Sequence, residues 1–200
     1  MQDNASFRYS PLLDIEGTCL LLYQVASIQP TTADFDASSD TPVETLHVIL
    51  LGFVKYFWRD TVSRQDEGGK RRLKARIDSF DVAGLGVDQP RGTTLVKYAG
   101  SLTGRDFRVI LQIAPFILYD LSPIIYEAWQ ALGHLGALVF RPVIHETAVY
   151  LIALKDAIND FLGATALWST RWFNKPKFHV LIHLTKHVER FGPPLLYATE

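Results

Sequence analysis

The stretch Thr41–Trp58, TPVETLHVILLGFVKYFW, decides the fold of this chain. Its apolar residues recur at three- and four-residue spacing, which is the pattern of a helix with one face in a core. The pattern predicts that the helix starts at Thr41, with Pro42 at the first helical position and Glu44 placed for a capping box. A core-facing helix that runs to about Ser63 therefore opens the folded part of the chain.

Further helical patterns follow, separated by joints rich in glycine and proline. They predict an all-α fold, an irregular antiparallel helical bundle that occupies residues 41–200. Residues 1–40 are predicted to be an irregular N-terminal segment, in which Thr18–Val25 forms at most a vestigial strand or a helical turn. The later helices are predicted at residues 70–80, at 107–121 with Asp106 as the cap, at 123–135 after Ser122, at 141–167 and at 176–190.

The composition excludes some classes of function. Hydrophobic residues make up 48% of the chain, which is enough for a sizeable core. The net charge of −1 excludes a globally basic nucleic-acid binder, so any contact with DNA requires a local patch. No apolar run supplies the roughly 20 residues of a bilayer span. With a single cysteine, Cys19, the chain is expected to be nuclear or cytoplasmic and to have no membrane partner.

Glu44 and His47 form the first candidate site. On a helix, their three-residue spacing places both side chains on one face, within reach of each other or of a shared metal ion or phosphate. The alternative is structural, because a carboxylate near a helix start caps the backbone and interacts favourably with the helix dipole. The residue pattern alone leaves both interpretations open.

Two groups of cations are candidates for binding phosphates through charge neutralisation. The first is a dense basic patch that also fits a solvated helix face or a nuclear-import signal. The second lies beside aromatic residues that either stack on bases or anchor the end of the bundle. The first group comprises Lys70, Arg71, Arg72, Lys74 and Arg76, and the second comprises Arg171, Lys175 and Lys177 next to Trp168 and Trp172.

His179, His183 and His187 follow one another at four-residue steps, which on a continuous helix places them on one face. Neutral imidazoles at this spacing can share a metal ion such as zinc. A histidine stripe at a helix-packing seam is the alternative, since the intervening residues are apolar and supply no general base.

Three segments together carry a family resemblance: Asp40–Trp58, Leu95–Leu121 and Ala166–Glu200. They resemble proteins of fungal transposable elements, in particular CACTA-like cut-and-paste DNA transposases with a nuclease core of the ribonuclease-H type. The resemblance implies that Glu44 and His47 lie in the region of the second catalytic acid, and that Glu200 is the candidate for the third. Glu44 and Glu200 would then hold divalent ions, Mg²⁺ or Mn²⁺.

The resemblance also implies an incomplete enzyme, because no strand-borne aspartate precedes Glu44 at the expected distance. The expected function is that of a truncated transposase-derived protein, catalytically inactive alone, with residual binding to DNA, to itself or to other transposase chains. A non-catalytic interaction module that uses exposed aromatics around Trp168 and Trp172 is the alternative.

Overall fold

The computed structural model describes residues 41–198, and all regular elements in that range are helical. The predicted all-α fold, an irregular antiparallel bundle, is confirmed. The predicted irregular segment 1–40 and its Thr18–Val25 element lie outside the described residues. The α-helices are α1 (Lys55–Ser63), α2 (Glu67–Asp78), α3 (Gly92–Lys97), α4 (Gly104–Ile117), α5 (Pro123–Val139), α6 (Thr147–Trp168), α7 (Pro176–Leu181) and α8 (Leu184–Phe191).

Two other kinds of helix complete the architecture. A π-helix, Leu46–Val54, runs directly into α1 and is called the π segment below. Its widened register shows at the junction, where the Lys55 amide donates to the carbonyls of Leu50 and Gly52. Short 3₁₀ helices occur at Thr170–Asn174 and Pro194–Tyr197. Long π-helices are rare and π-turns concentrate at functional sites, so the π segment is a candidate functional region.

The predicted start of the first helix is wrong by several residues. Thr41 does not cap it, because residues 42–44 are not helical and the Thr41 hydroxyl is buried without a hydrogen-bond partner. Instead, the Glu44 carboxylate accepts from the amides of Leu46 and His47, at 2.7 Å each. Glu44 therefore satisfies the first free amides from outside the helix, and does not occupy the N3 position of a capping box.

Several later boundaries also differ from prediction. Thr103 caps α4, with Asp106 at the N3 position, and the two form a reciprocal capping box. Helix α6 begins at Thr147, six residues after the predicted start at Arg141. The predicted last helix is split into α7 and α8 at residues 182 and 183. Ser122 and Pro123 are at the N-cap and the first turn of α5, as the sequence predicts.

The core is built around large aromatic side chains that the π segment and α1 direct inward. Phe53, Phe57 and Trp58 are fully buried, and they meet Trp129 of α5 and Phe161 of α6. The two fully buried tryptophans have acceptors: Trp58 Nε1 donates to the Leu95 carbonyl at 2.8 Å and Trp129 Nε1 donates to the Thr61 hydroxyl at 3.0 Å. These bonds fix α3 and α5 against α1, since a buried N–H without a partner is costly.

Glycine allows two backbones to come close together where α3 begins. A Cβ added at Gly92 would lie 2.3 Å from the carbonyl oxygen of Lys74 in α2. In contrast, a Cβ at Gly163, on the exposed side of α6, meets nothing within 4 Å. A glycine-to-alanine substitution therefore meets a tight backbone contact at position 92 and open space at position 163.

We expect Gly92→Ala to destabilise the protein by about 1–3 kcal/mol, because the backbones of α2 and α3 must separate. Gly163→Ala, the matched control, should stabilise it by up to about 1 kcal/mol, since alanine is the better helix former. Urea denaturation of both variants measures the two free energies of unfolding. Equal effects of the two substitutions would contradict the close approach at Gly92.

Candidate nucleic-acid interface

Glu44 and His47 are in contact, as their spacing predicts. His47 Nδ1 donates to Glu44 Oε2 at 2.6 Å, and the same carboxylate accepts from two backbone amides at the start of the π segment. The Glu44 side chain is about one-tenth exposed and that of His47 about one-quarter exposed. Glu44 therefore caps the start of the π segment, and His47 is its side-chain partner.

The predicted metal site at Glu44 and Glu200 stays a prediction, because Glu200 lies outside the described residues. Within residues 41–198, no group of three or more potential ligands is placed to hold a metal ion. A metal ion at Glu44 would have to compete with the three hydrogen bonds that its oxygens already accept.

Lys177 of α7 is buried against the π segment. It is only 4% exposed, and its ammonium group donates to the His47 carbonyl at 2.7 Å. Its aliphatic chain passes directly over Gly52, where an added Cβ would lie 2.9 Å from Lys177 Cδ. Burial and the nearby positive charge of Lys55 lower the pKa of Lys177 to about 8, although Glu44 acts in the opposite direction.

Several cations converge on Tyr56, which follows Lys55 in the first turn of α1. The ammonium of Lys175 lies 4.9 Å from the centre of the Tyr56 ring and that of Lys177 lies 5.6 Å from it. Arg59 lies one turn further along α1 and lowers the pKa of Tyr56, against the larger raising effect of burial. We call Lys55, Arg59, Lys175 and Lys177 the Tyr56 cluster.

The Tyr56 cluster carries little compensating negative charge. Neither Lys55, Arg59 nor Lys175 forms an ion pair with an acid of residues 41–198. Asp60, next to Arg59, is paired with Arg64. The charge of Glu44 raises the pKa of Lys177. However, the oxygens of Glu44 already accept hydrogen bonds from two amides at the helix start and from the His47 ring. Like charges held together in this way attract an anion.

The patch on α2 is dense in sequence but partly neutralised in the structure. Lys70 pairs with Glu67 at 2.9 Å, and Arg76 makes a two-pronged pair with Asp120, at 2.6 and 2.9 Å. The bond to Arg76 lowers the pKa of Asp120, as expected of a carboxylate held in its charged form. Two of the five predicted phosphate ligands are therefore committed to acids.

The other three cations of α2 remain available but lie among acids. Arg71 and Arg72 are exposed, and Lys74 is half-buried; none of them forms an ion pair within residues 41–198. However, the fields of Arg71 and Lys74 act on Glu67, and that of Arg72 acts on Asp120. The α2 patch is thus a mixed-charge surface with a weaker net attraction for phosphates than its sequence indicates.

The aromatic neighbours of the second predicted group anchor the bundle. Trp168 and Trp172 are half-buried, and their rings lie 4.5 and 5.3 Å from that of Phe57. Their packing on Phe57 fits the aromatic anchor at the end of the bundle, whereas Phe173 beside them is 41% exposed. Arg171 is exposed in the 3₁₀ turn between α6 and α7, whereas Lys177 is buried, so the three predicted cations do not form one flat surface.

The histidine row is divided by the break between α7 and α8. The rings of His179 and His183 are 5.2 Å apart, whereas His187 is buried and its Nδ1 accepts from the Val43 amide at 2.9 Å. The structure thus favours the packing-seam interpretation for His187. Burial, together with the charges of His183 and Arg190, lowers the pKa of His187 and keeps this acceptor unprotonated.

Sequence reasoning missed Lys55, Tyr56 and Arg59 as candidate site residues. Lys55 and Arg59 are four residues apart, which on a helix puts both cations on one face. That signal is present in the sequence but short. Its significance depends on Lys175 and Lys177, which the fold brings to the same ring from more than a hundred residues away.

Glu44→Ala should lower the free energy of unfolding by about 1–2 kcal/mol, because it leaves the amides of Leu46 and His47 without their acceptor. Urea denaturation measures the change. Glu44→Asp, whose shorter carboxylate keeps the charge, is the matched control and should retain part of the stability. Unchanged stability in Glu44→Ala would contradict the capping role.

The free energy of unfolding should fall as pH is lowered from 7.5 to 5.5. Because the pKa of His187 is lowered in the folded protein, the unfolded state binds the proton more readily below about pH 6.5. His187→Asn, which keeps an acceptor but does not titrate, should show a smaller loss. Urea denaturation at the two pH values tests this, and identical losses in the variant and the parent protein would contradict it.

Comparison with known protein families, with curated proteins and with solved structures finds no match to this chain. Among residues 41–198, no helix is both long enough and apolar enough to cross a membrane.

Proposed function

We propose that this helical domain binds nucleic acid non-catalytically, through phosphate groups seated at the Tyr56 cluster. The observation that carries the proposal is the convergence of cations from two distant chain segments on one tyrosine ring, with little acid to neutralise them. Phosphate contacts by lysine and arginine supply most of the sequence-independent affinity for nucleic acid.

A phosphate backbone suits this cluster better than an isolated acidic side chain does. Successive phosphates of a nucleic acid present a row of charges, and Lys55 and Arg59 form a corresponding row along α1 at four-residue spacing. Lys175 adds a third cation, from the segment before α7, at 4.9 Å from the Tyr56 ring. The net charge of −1 requires such a local patch for any binding to DNA.

The family resemblance supports the same ligand, because cut-and-paste transposases act on DNA. We therefore propose that the domain is a transposase-derived DNA-binding remnant that is inactive as a nuclease when alone. The position of Glu44 does not depend on this ancestry, because its carboxylate caps the π segment. A DNA ligand would place the protein in the nucleus.

A module that uses Trp168 and Trp172 to bind a protein partner is the less supported alternative. Both indoles pack on Phe57, so Trp172→Ala would be expected to disturb the core rather than a free surface. No other observation in residues 41–198 identifies a protein partner.

The test of the proposed function is a matched pair of triple variants. Lys55→Gln/Arg59→Gln/Lys175→Gln removes three charges from the Tyr56 cluster, and Arg71→Gln/Arg72→Gln/Lys74→Gln removes three from α2. We expect the parent protein to bind a duplex of about 20 base pairs with log Kd rising with log salt at a slope of about 3, as for three or four neutralised phosphates. The cluster variant should lose most of this binding and most of the slope, and the α2 variant much less.

Fluorescence anisotropy across a salt series provides both quantities, and far-ultraviolet circular dichroism checks that each variant is folded. Absence of binding by the parent protein even at low salt would remove the proposed function. A larger loss in the α2 variant than in the cluster variant would move the site to the patch that the sequence favours.

A further inference from the structure

Lys177 is the one member of the Tyr56 cluster that is buried, and its surroundings leave its charge poorly compensated. Its only described hydrogen bond is to a neutral acceptor, the His47 carbonyl, at 2.7 Å. A buried ammonium is costly unless an opposite charge and further hydrogen bonds replace the lost water. A nearby anion would therefore stabilise the charged form of Lys177 more than it would stabilise that of an exposed lysine.

The described groups around Lys177 compensate its positive charge only in part. From α1 it faces the Tyr56 ring, which attracts a cation, and the positive charge of Lys55. From the start of the π segment it feels Glu44, whose oxygens are bonded to backbone amides and to His47. The preceding segment adds the cation Lys175 over the same ring, and the 3₁₀ turn that packs on α7 carries Arg171, which is exposed to solvent. Cations thus outnumber acids around the ammonium.

Geometry links this ammonium to whatever binds at the cluster. The ammonium groups of Lys175 and Lys177 lie 4.9 and 5.6 Å from the centre of the same Tyr56 ring, so a phosphate held between Lys175 and this ring is at a distance comparable to the roughly 10 Å over which charges interact at ordinary salt. The interaction does not require the phosphate to enter the core. Burial strengthens it, because a partly desolvated charge is screened less than an exposed one.

We propose that Lys177 couples the binding of a nucleic-acid phosphate at the Tyr56 cluster to the uptake of a proton. This inference rests on the proposed function and adds its regulation by pH. In the free protein, the ammonium and the neutral amine of Lys177 coexist near pH 8. A bound phosphate favours the ammonium, raises the pKa of Lys177 and so draws a proton from solvent.

The proton coupling makes binding of the nucleic acid weaker at higher pH. Binding is strongest where Lys177 is already protonated, below pH 8, and weakens as the pH rises through 8 because the proton must first be taken up. If the phosphate raises the pKa of Lys177 by about one unit, Kd should increase about fourfold between pH 7.5 and pH 9. In the same case, about 0.4 of a proton should be taken up per complex at pH 8.

The experiment measures Kd for a duplex of about 20 base pairs at pH 7.5, 8, 8.5 and 9, at one fixed low salt concentration. Histidines and ordinary lysines titrate mostly outside this interval, and the α-amino group and the Cys19 thiol are common to the parent protein and the variants, so the difference between them isolates Lys177. Lys177→Met keeps the length of the side chain and removes the ammonium, and its Kd should be independent of pH. Arg71→Met removes a charge from α2, outside the Tyr56 cluster; it should keep most of the affinity and all of the pH dependence of the parent protein.

Calorimetry provides a second readout that needs no variant. The binding enthalpy of the parent protein, measured at pH 8 in two buffers of different ionisation enthalpy, gives the number of protons taken up. Uptake near 0.4 supports the proposal even where Lys177→Met does not fold. No uptake by the parent protein, or an unchanged pH dependence in folded Lys177→Met, overturns it.

The proposed function and the proton coupling would be overturned by different results. If the duplex binds and the Tyr56-cluster triple variant abolishes binding, but Kd is flat from pH 7.5 to 9, the proton coupling is wrong and the proposed function stands. If the duplex does not bind, or binds equally well to the triple variant, the proposed function fails and the coupling fails with it.

Discussion

The hydrogen bond from Lys177 to the His47 carbonyl is the interaction on which the arrangement at this end of the bundle depends. It crosses 130 residues of sequence and ties α7 to the π segment. The cost of burying the ammonium is offset in part by the carbonyl, by the Tyr56 ring and by the field of Glu44. The same bond brings Lys175 to the ring, so the docking of α7 also gathers the surface cations.

The charge patterns along the chain and on the folded surface lead to different sites. On α2, five cations within seven residues suggest the strongest phosphate ligand, but Asp120 and Glu67 neutralise two of them. Around Tyr56, fewer cations are gathered from two separate segments, and within residues 41–198 Lys55, Arg59 and Lys175 form no ion pair with an acid. Attraction for a phosphate depends on net local charge, which folding sets and a count of basic residues does not.

The helical fold could be predicted from the sequence because its signals are local. Apolar spacing in Leu46–Trp58 and the Ser122–Pro123 start of α5 depend on residues a few positions apart. The start of the first helix was predicted wrongly because Glu44 can cap from either of two positions, and tertiary packing selects one. The Lys177–His47 bond and the Arg76–Asp120 pair connect residues that are far apart in the chain, so no local sequence pattern predicts them.

Gly52 is where the chain makes room for Lys177. With no side chain at position 52, the methylene groups of the lysine lie directly on the π segment, and any Cβ there would collide with them. The identities of residues 52 and 177 are therefore interdependent. A larger residue at position 52 would have to displace the lysine chain from the π segment, and with it the ammonium group that the chain carries.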